Sequence, residues 1–166
     1  MKIIFIFITG VYLSGCSMLP QKNIYTEIDI NAPRHIVWEI LVDNQSYPLW
    51  NPYHVKVEGK IKEGEELQLE IHKPNNSKIN IEPHVMEVKS QKLLSWGGGI
   101  KGVFHGKHVF ELRQLSDTST RLLHHEHFTG LVIPFAQLAT IEEGYELMNE
   151  ALMLRAESFM ENRTLQ

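Results

Sequence analysis

The sequence has 166 residues, 43% of them hydrophobic and 22% charged, the proportions of a globular chain rather than a disordered or fibrous one. Its formal net charge is −4, and Lys2 is the one charge before Cys16, so the part behind Cys16 carries −5. That balance, with no Lys/Arg run, argues against nucleic acid as a partner and against a polybasic membrane patch.

The N-terminus starts with a positive Met1-Lys2 and continues through a nearly uninterrupted apolar stretch, Ile3 to Leu13. A bilayer span needs about 20 apolar residues, so this stretch has the form of a secretory signal core instead. Leu13-Ser14-Gly15-Cys16 resembles the lipobox of bacterial lipoprotein signals. The resemblance implies removal of residues 1–15, lipidation of Cys16 and a tether over residues 16–23. It places the protein outside the cytoplasm, held by lipid to a membrane of the cell envelope. Ser17 after the cysteine implies outer-membrane placement, periplasmic side, if the cell is Gram-negative. Cys16 is the sole cysteine, so an internal disulfide is impossible even in an oxidising compartment.

Ile24 to Ile30 alternates with period two, which predicts a half-buried strand. Asn31-Ala32-Pro33 predicts a helix start, with Asn31 as cap, and Ile36, Val37, Ile40 and Leu41 supply its apolar face. Ser46 to Trp50 predicts a turn or short helix that Asn51-Pro52 ends. Strands are then expected over 53–58, 66–72, 78–89, 92–96, 102–113 and 120–129. Pro74-Asn75-Asn76, Gly97-Gly98-Gly99 and Ser116-Asp117-Thr118-Ser119 are the turn signals between them. After an apolar loop to Ala139, Thr140 and Glu143 have the spacing of a capping box. Ile141, Tyr145, Met148, Leu152, Ala156 and Phe159 then follow at intervals of three and four, one face of a helix about five turns long. The expected class is α+β: a meander of antiparallel strands with two short helices after the first strand, covered by the long terminal helix.

This order resembles the helix-grip fold of the START-like (SRPBCC) superfamily, near its polyketide cyclase/dehydrase branch. Ile30 to Trp38 resembles the family's first strand and helix start, and Trp50-Asn51-Pro52-Tyr53 its W-N-P-aromatic turn. Gly106 to Phe110 and His124 to Leu131 resemble its last two strands. Met148 to Leu152 and Arg155-Ala156-Glu157 resemble its terminal helix. The resemblance implies one domain over residues 24–162, a curved sheet wrapped around the long helix, and a cavity between them for an apolar ligand such as a lipid or polyketide.

The last hairpin carries the candidate site. A turn centred on Asp117 sets Leu112 opposite Leu122, Phe110 opposite His124, and His108 opposite Glu126, with directly opposed side chains about 5 Å apart. The even-numbered residues, Phe128 included, face inward; His125 and His127 face out. Three readings of His108 and Glu126 stand open. They are a buried pair that sets register, a polar anchor for a ligand head group, or a general base with its orienting carboxylate. His108, His124 and Glu126 also have the composition of a two-His, one-carboxylate metal site, but no Cys or Asp joins them and no metal is expected. No cofactor is expected either. Trp50, Tyr53 and Trp96 are further candidates for the cavity wall, and Tyr145, Met148 and Leu152 for its helical side. Leu131 to Phe135 reads as a plug, a lid or a membrane-dipping loop. The favoured expectation is a membrane-tethered domain binding a small hydrophobic molecule. A cyclase/dehydratase-type enzyme using His108 and Glu126, and an envelope interaction protein with a filled core, are the alternatives.

Overall fold

The structure, a computed structural model, describes residues 19–164; the expected signal, Cys16 and most of the expected tether lie outside the described residues. It has eight strands, β1 (Gln21–Ile30), β2 (His54–Gly59), β3 (Leu67–His72), β4 (Lys78–Ile81), β5 (His84–Lys89), β6 (Leu93–Ile100), β7 (Phe104–Ser116) and β8 (Ser119–Thr129). Helix α1 (Arg34–Val42) and a 3-10 helix (Asn44–Leu49) follow β1, and the long helix α2 (Ile141–Thr164) closes the chain. No helix among the described residues is long and apolar enough to cross a membrane.

One sheet runs β1-β8-β7-β6-β5 and a second runs β2-β3-β4, antiparallel throughout. They meet where the expected strand over 78–89 breaks. Pro83 has no N–H to give a ladder and sits at the seam between β4 and β5. Leu67 N–H donates to the Pro83 carbonyl at 2.8 Å and Val85 N–H to the Glu65 carbonyl at 2.9 Å, so the second sheet continues the first around a corner. The expected strand end at Gly97 also moves. β6 continues through Gly97, Gly98 and Gly99, which pair with Lys107, Gly106 and His105. A Cβ on Gly97 would lie 2.3 Å from the Gly106 carbonyl oxygen, so this close approach requires glycine.

The β7–β8 register is the expected one: His108 pairs with Glu126, Phe110 with His124 and Leu112 with Leu122. Helix α2 lies across the inner face of this sheet. Ile141, Tyr145, Met148, Leu152 and Ala156 are buried there and Met160 packs partly buried against the same core, whereas Phe159 is exposed beneath the Arg155 guanidinium, 5.0 Å from its ring. Gly144 costs helix stability but leaves room for the Tyr53 ring; a Cβ there would meet it at 2.2 Å. Asn31 does not cap α1. Its backbone and side-chain N–H groups both donate to Glu157 Oε1, at 3.0 and 2.9 Å, fastening the α1 entrance to the far end of α2. At the other end of α2, Gly144 N–H donates to the Thr140 carbonyl at 3.1 Å.

Candidate functional site

Between the sheet and the first turns of α2 lies a cavity of about 460 Å³. Its wall is mainly apolar: Ile71 and Ile79 from the second sheet, Trp96, Phe104 and Phe128 from the first, and Leu138 and Ile141 from α2 and its approach. Gly97, Gly98, Gly99 and Gly106 form a strip of wall without side chains. The core is therefore not filled by its own side chains.

The inner end of the cavity is polar. Tyr53, His54, His108, Glu126 and Tyr145 converge there. Gly106 lies one pleat from His108 on β7 and leaves the space that the Glu126 side chain uses; a Cβ on it would come 3.0 Å from Glu126 Oε1. The His108 and Glu126 backbones are paired as expected, but their side chains choose other partners. Glu126 Oε2 accepts a short hydrogen bond from the Tyr145 hydroxyl. His108 Nε2 lies 2.8 Å from His124 Nε2. The reason is α2, which brings Tyr145 and Asn149 down onto this face of the hairpin.

A directional chain of hydrogen bonds follows from the donors available. The Thr26 hydroxyl donates to the His124 carbonyl at 3.2 Å and accepts from Asn149 Nδ2 at 2.8 Å. Asn149 Oδ1 is thereby the acceptor for His124 Nδ1–H at 2.7 Å. Burial holds both His124 and His108 well below the ordinary imidazole range, and the neighbouring histidines push His108 further the same way, so both are neutral. A neutral His124 that donates from Nδ1 must accept at Nε2, and His108 Nε2–H is its donor. The lone pair of His108 Nδ1 then faces the Tyr145 hydroxyl, 3.4 Å away.

Glu126 ends this chain and is the group that titrates. Burial pushes its carboxyl up to about 7, against the opposing hydrogen bond from Tyr145. Burial and the adjacent Glu126 charge hold Tyr145 well above the usual phenol range. When Glu126 takes a proton, the Tyr145 O–H is free to turn to His108 Nδ1 and accept from the acid in exchange.

Of the residues singled out from sequence, Tyr53, Trp96, His108, Glu126, Phe128 and Tyr145 line the cavity. Trp50, Phe110, His124, Met148 and Leu152 stand behind it. Trp50 packs edge-on against Tyr47 at 4.9 Å. Phe110 backs Trp96 and His108, at 5.3 and 4.5 Å between ring centres. Past Tyr145 the helix meets the sheet directly, so Met148 and Leu152 are fully buried core. His125 and His127 lie on the outer face, against Tyr25 and Asn23.

His54, Thr26 and Asn149 are the members that sequence reading missed. His54 is 1% exposed, its Nδ1 has no hydrogen-bond partner, and burial lowers its pKa to about 3. It lines the cavity beside Tyr53 because the β2–β3 register slips between His54 and Lys56. Alternation puts only one of two adjacent residues inside, so this irregularity hid it. Asn149 follows Met148 on the helix face, where an isolated Asn among apolar residues was the available signal. Among the described residues no group of three or more His, Cys, Asp or Glu side chains is arranged to hold a metal.

The fold has many structural relatives at low identity. The Zhui aromatase/cyclase of a Streptomyces species superposes with a TM-score of 0.69 at 16% identity, covering 83% of this chain and 94% of that one. Norcoclaurine synthase from Thalictrum flavum, solved with dopamine and hydroxybenzaldehyde, gives 0.63 at 14%, covering 95% and 97%. A START superfamily protein from Mycobacterium smegmatis gives 0.62 at 18%, covering 82% and 98%. These likenesses establish the helix-grip, START-like fold. No curated protein matches the chain. The family model described as polyketide cyclase / dehydrase and lipid transport matches residues 21–157, nearly the whole described domain. This chain, with its curved sheet, gripped helix and internal cavity, belongs to that polyketide cyclase/dehydrase and lipid transport family.

Proposed function

We propose that the protein is a membrane-tethered lipoprotein whose cavity binds one small hydrophobic molecule, with Glu126 and Tyr145 engaging a single polar group on it. The observation that carries this reading is the cavity itself: about 460 Å³, mainly apolar in its wall, with the side chains of Tyr53, His54, His108, Glu126 and Tyr145 brought together on it. That is the usual arrangement of a small-molecule pocket, where apolar area supplies affinity and a few polar groups set orientation. His54, with an unused ring nitrogen in the same group, is a second contact for the ligand's polar group. Lipidation of Cys16 places such a pocket beside a source of apolar molecules.

Native mass spectrometry of the full chain purified from cells, with extraction of whatever it carries, tests the proposal. A stoichiometric apolar molecule supports it and gives its class. An empty protein that also fails to take up an apolar fluorescent probe, or whose uptake is unchanged by Ile71→Trp in the cavity wall, refutes it.

One observation favours a second reading, catalysis of the cyclase or dehydratase kind. A carboxyl with a pKa of about 7 at the end of an apolar cavity can take a proton from a bound substrate and return it near neutral pH. In this reading the roles expected from sequence reverse. Glu126 moves the proton, and neutral His108 orders Tyr145 instead of acting as base. Turnover of an extracted ligand that Glu126→Gln abolishes while still binding it separates the enzyme from the carrier.

A further inference from the structure

At the end of the sheet where β1 begins, five large apolar side chains lie exposed together. Ile100, the last residue of β6, and Val103, in the turn to β7, are 69% and 44% exposed. Leu131, Val132 and Phe135, in the loop after β8, are 62%, 40% and 85% exposed. The two loops form one surface, because Leu131 N–H donates to the Gly102 carbonyl at 3.0 Å and Val132 N–H to the Val103 carbonyl at 3.1 Å. A contiguous apolar patch of this kind marks an interaction site, whereas single exposed apolar residues do not.

Two observations say what covers it. The first is the route of the chain. Gly130 N–H donates to the Pro20 carbonyl at 3.0 Å, so the N-terminal segment joins the fold at the patch, with Leu19 43% exposed beside it. Cys16 and Pro20 are four residues apart in the sequence. Four residues span at most about 14 Å, whereas β1 carries the chain about 30 Å to the far end of the sheet. An acyl chain on Cys16 can therefore hold this end of the domain at a bilayer and no other. The second is the cavity. Its wall residue Gly99 adjoins Ile100, and its wall residues Ala136 and Gln137 follow Phe135, so one rim of the cavity is continuous with the patch.

We propose that this patch docks on a lipid bilayer and sets the cavity's rim at the boundary between headgroups and acyl chains. The proposal rests on the Cys16 anchor for its orientation. The apolar side chains enter the interface by about 5–10 Å, the depth typical of peripheral apolar surfaces. Exposed Lys101, in the turn between Ile100 and Val103, meets the anionic headgroups. A hydrophobic ligand then passes between bilayer and cavity without crossing water.

Trp quenching in reconstituted vesicles tests this on the full chain. The vesicles contain phosphatidylcholine and phosphatidylglycerol with brominated acyl chains, and intact mass on the same samples reports whether Cys16 is acylated. Phe135→Trp places a reporter in the patch. Leu115→Trp, at an exposed site near the β7–β8 turn at the opposite end of the sheet, is the control. Against the wild-type baseline, the Phe135→Trp reporter loses about half its emission and the Leu115→Trp reporter less than about a tenth, as expected for interfacial insertion of one end. Adding Leu131→Asp to the Phe135→Trp variant restores most of the emission. Acylated protein with equal quenching at both reporters overturns the docking surface and leaves the anchor standing. Where Cys16 carries no lipid, the anchor reading fails, and selective quenching at Phe135→Trp still supports docking while its absence overturns it. A concentration-dependent dimer that Leu131→Asp abolishes, with no quenching, assigns the patch to a second copy and also overturns the proposal.

Discussion

The two faces of the β7–β8 hairpin carry the same residue types and put them to different uses. His124 and His125 are neighbours in sequence. His124 points inward, is fully buried, and uses both ring nitrogens, one on Asn149 and one on His108. His125 points outward and rests against Tyr25, with 6.2 Å between ring centres. The charged residues divide in the same way. Outside, Arg121 grips Asp29 with two bonds of 2.6 and 2.8 Å, across β1 and β8, and Arg113 reaches Glu111 at 2.8 Å. Water screens such pairs, and each adds little to stability. Inside, Glu126 has no cation, and its one hydrogen bond comes from Tyr145. The difference is that inside, the members of the chain from Thr26 to His108 depend on specific partners, because a buried group that loses its partner has no water to replace it.

The largest expected effect comes from breaking the inner face. His124→Ala removes the bonds to Asn149 and His108 and opens a void among Phe110, His108 and Tyr145. The expected cost is about 3–5 kcal/mol, read from urea unfolding. A cost below about 1 kcal/mol would show the chain of bonds to be incidental.

Next comes Glu126→Gln, which removes the one titrating carboxyl inside. Burial raises its folded pKa to about 7, above its ordinary 4.5. The folded state therefore holds the proton more tightly than the unfolded chain does. Its contribution is fully present below pH 4.5 and is lost as the pH rises through about 7, up to about 3 kcal/mol in all. The stability difference between wild type and Glu126→Gln should move in favour of the variant across that window and level off above it. A difference that does not change with pH would place Glu126 in contact with water. The buried histidines act with the opposite sign, lowering stability as the pH falls through the imidazole range, but they cancel in this comparison.

Tyr145→Phe is smaller, about 1–2 kcal/mol above pH 7, because it removes one hydrogen bond to the carboxylate and little volume. It should also raise the Glu126 pKa further, since the Tyr145 bond is what opposes burial. Carboxyl NMR titration of Glu126 measures that shift, and a fall instead of a rise would contradict the assigned donor.

The outer face should hardly respond. His125→Ala and His127→Ala are each expected within about 0.5 kcal/mol of wild type, with ligand uptake unchanged. Either variant matching His124→Ala in thermal unfolding would remove the distinction between the faces.

Period two and a short turn made the hairpin legible in sequence. Once Asp117 centres the turn, the pairing of His108 with Glu126 follows, because a one-residue slip would turn every apolar residue outward. The heptad-like spacing from Ile141 to Ala156 likewise shows α2 and the face it buries. The apparent strand over 78–89 hid the corner at Pro83, and the glycines read as a stop although they continue β6. A backbone that comes this close to its neighbour looks the same in sequence as one that turns away.

The order of elements, the hairpin register and the inward set of residues were determined by local pattern, because periodicity and turn chemistry act over a few residues. The partners within that inward set were decided by tertiary structure alone. His108 bonds to His124, its diagonal neighbour, and Glu126 to Tyr145, because α2, a distant segment, occupies the space above the hairpin. The cavity has the same origin. It is the volume left between the sheet and the first turns of the helix, where the glycine strip puts no side chains into the space. No stretch of sequence encodes that separation by itself, since it depends on how two surfaces far apart in the chain meet.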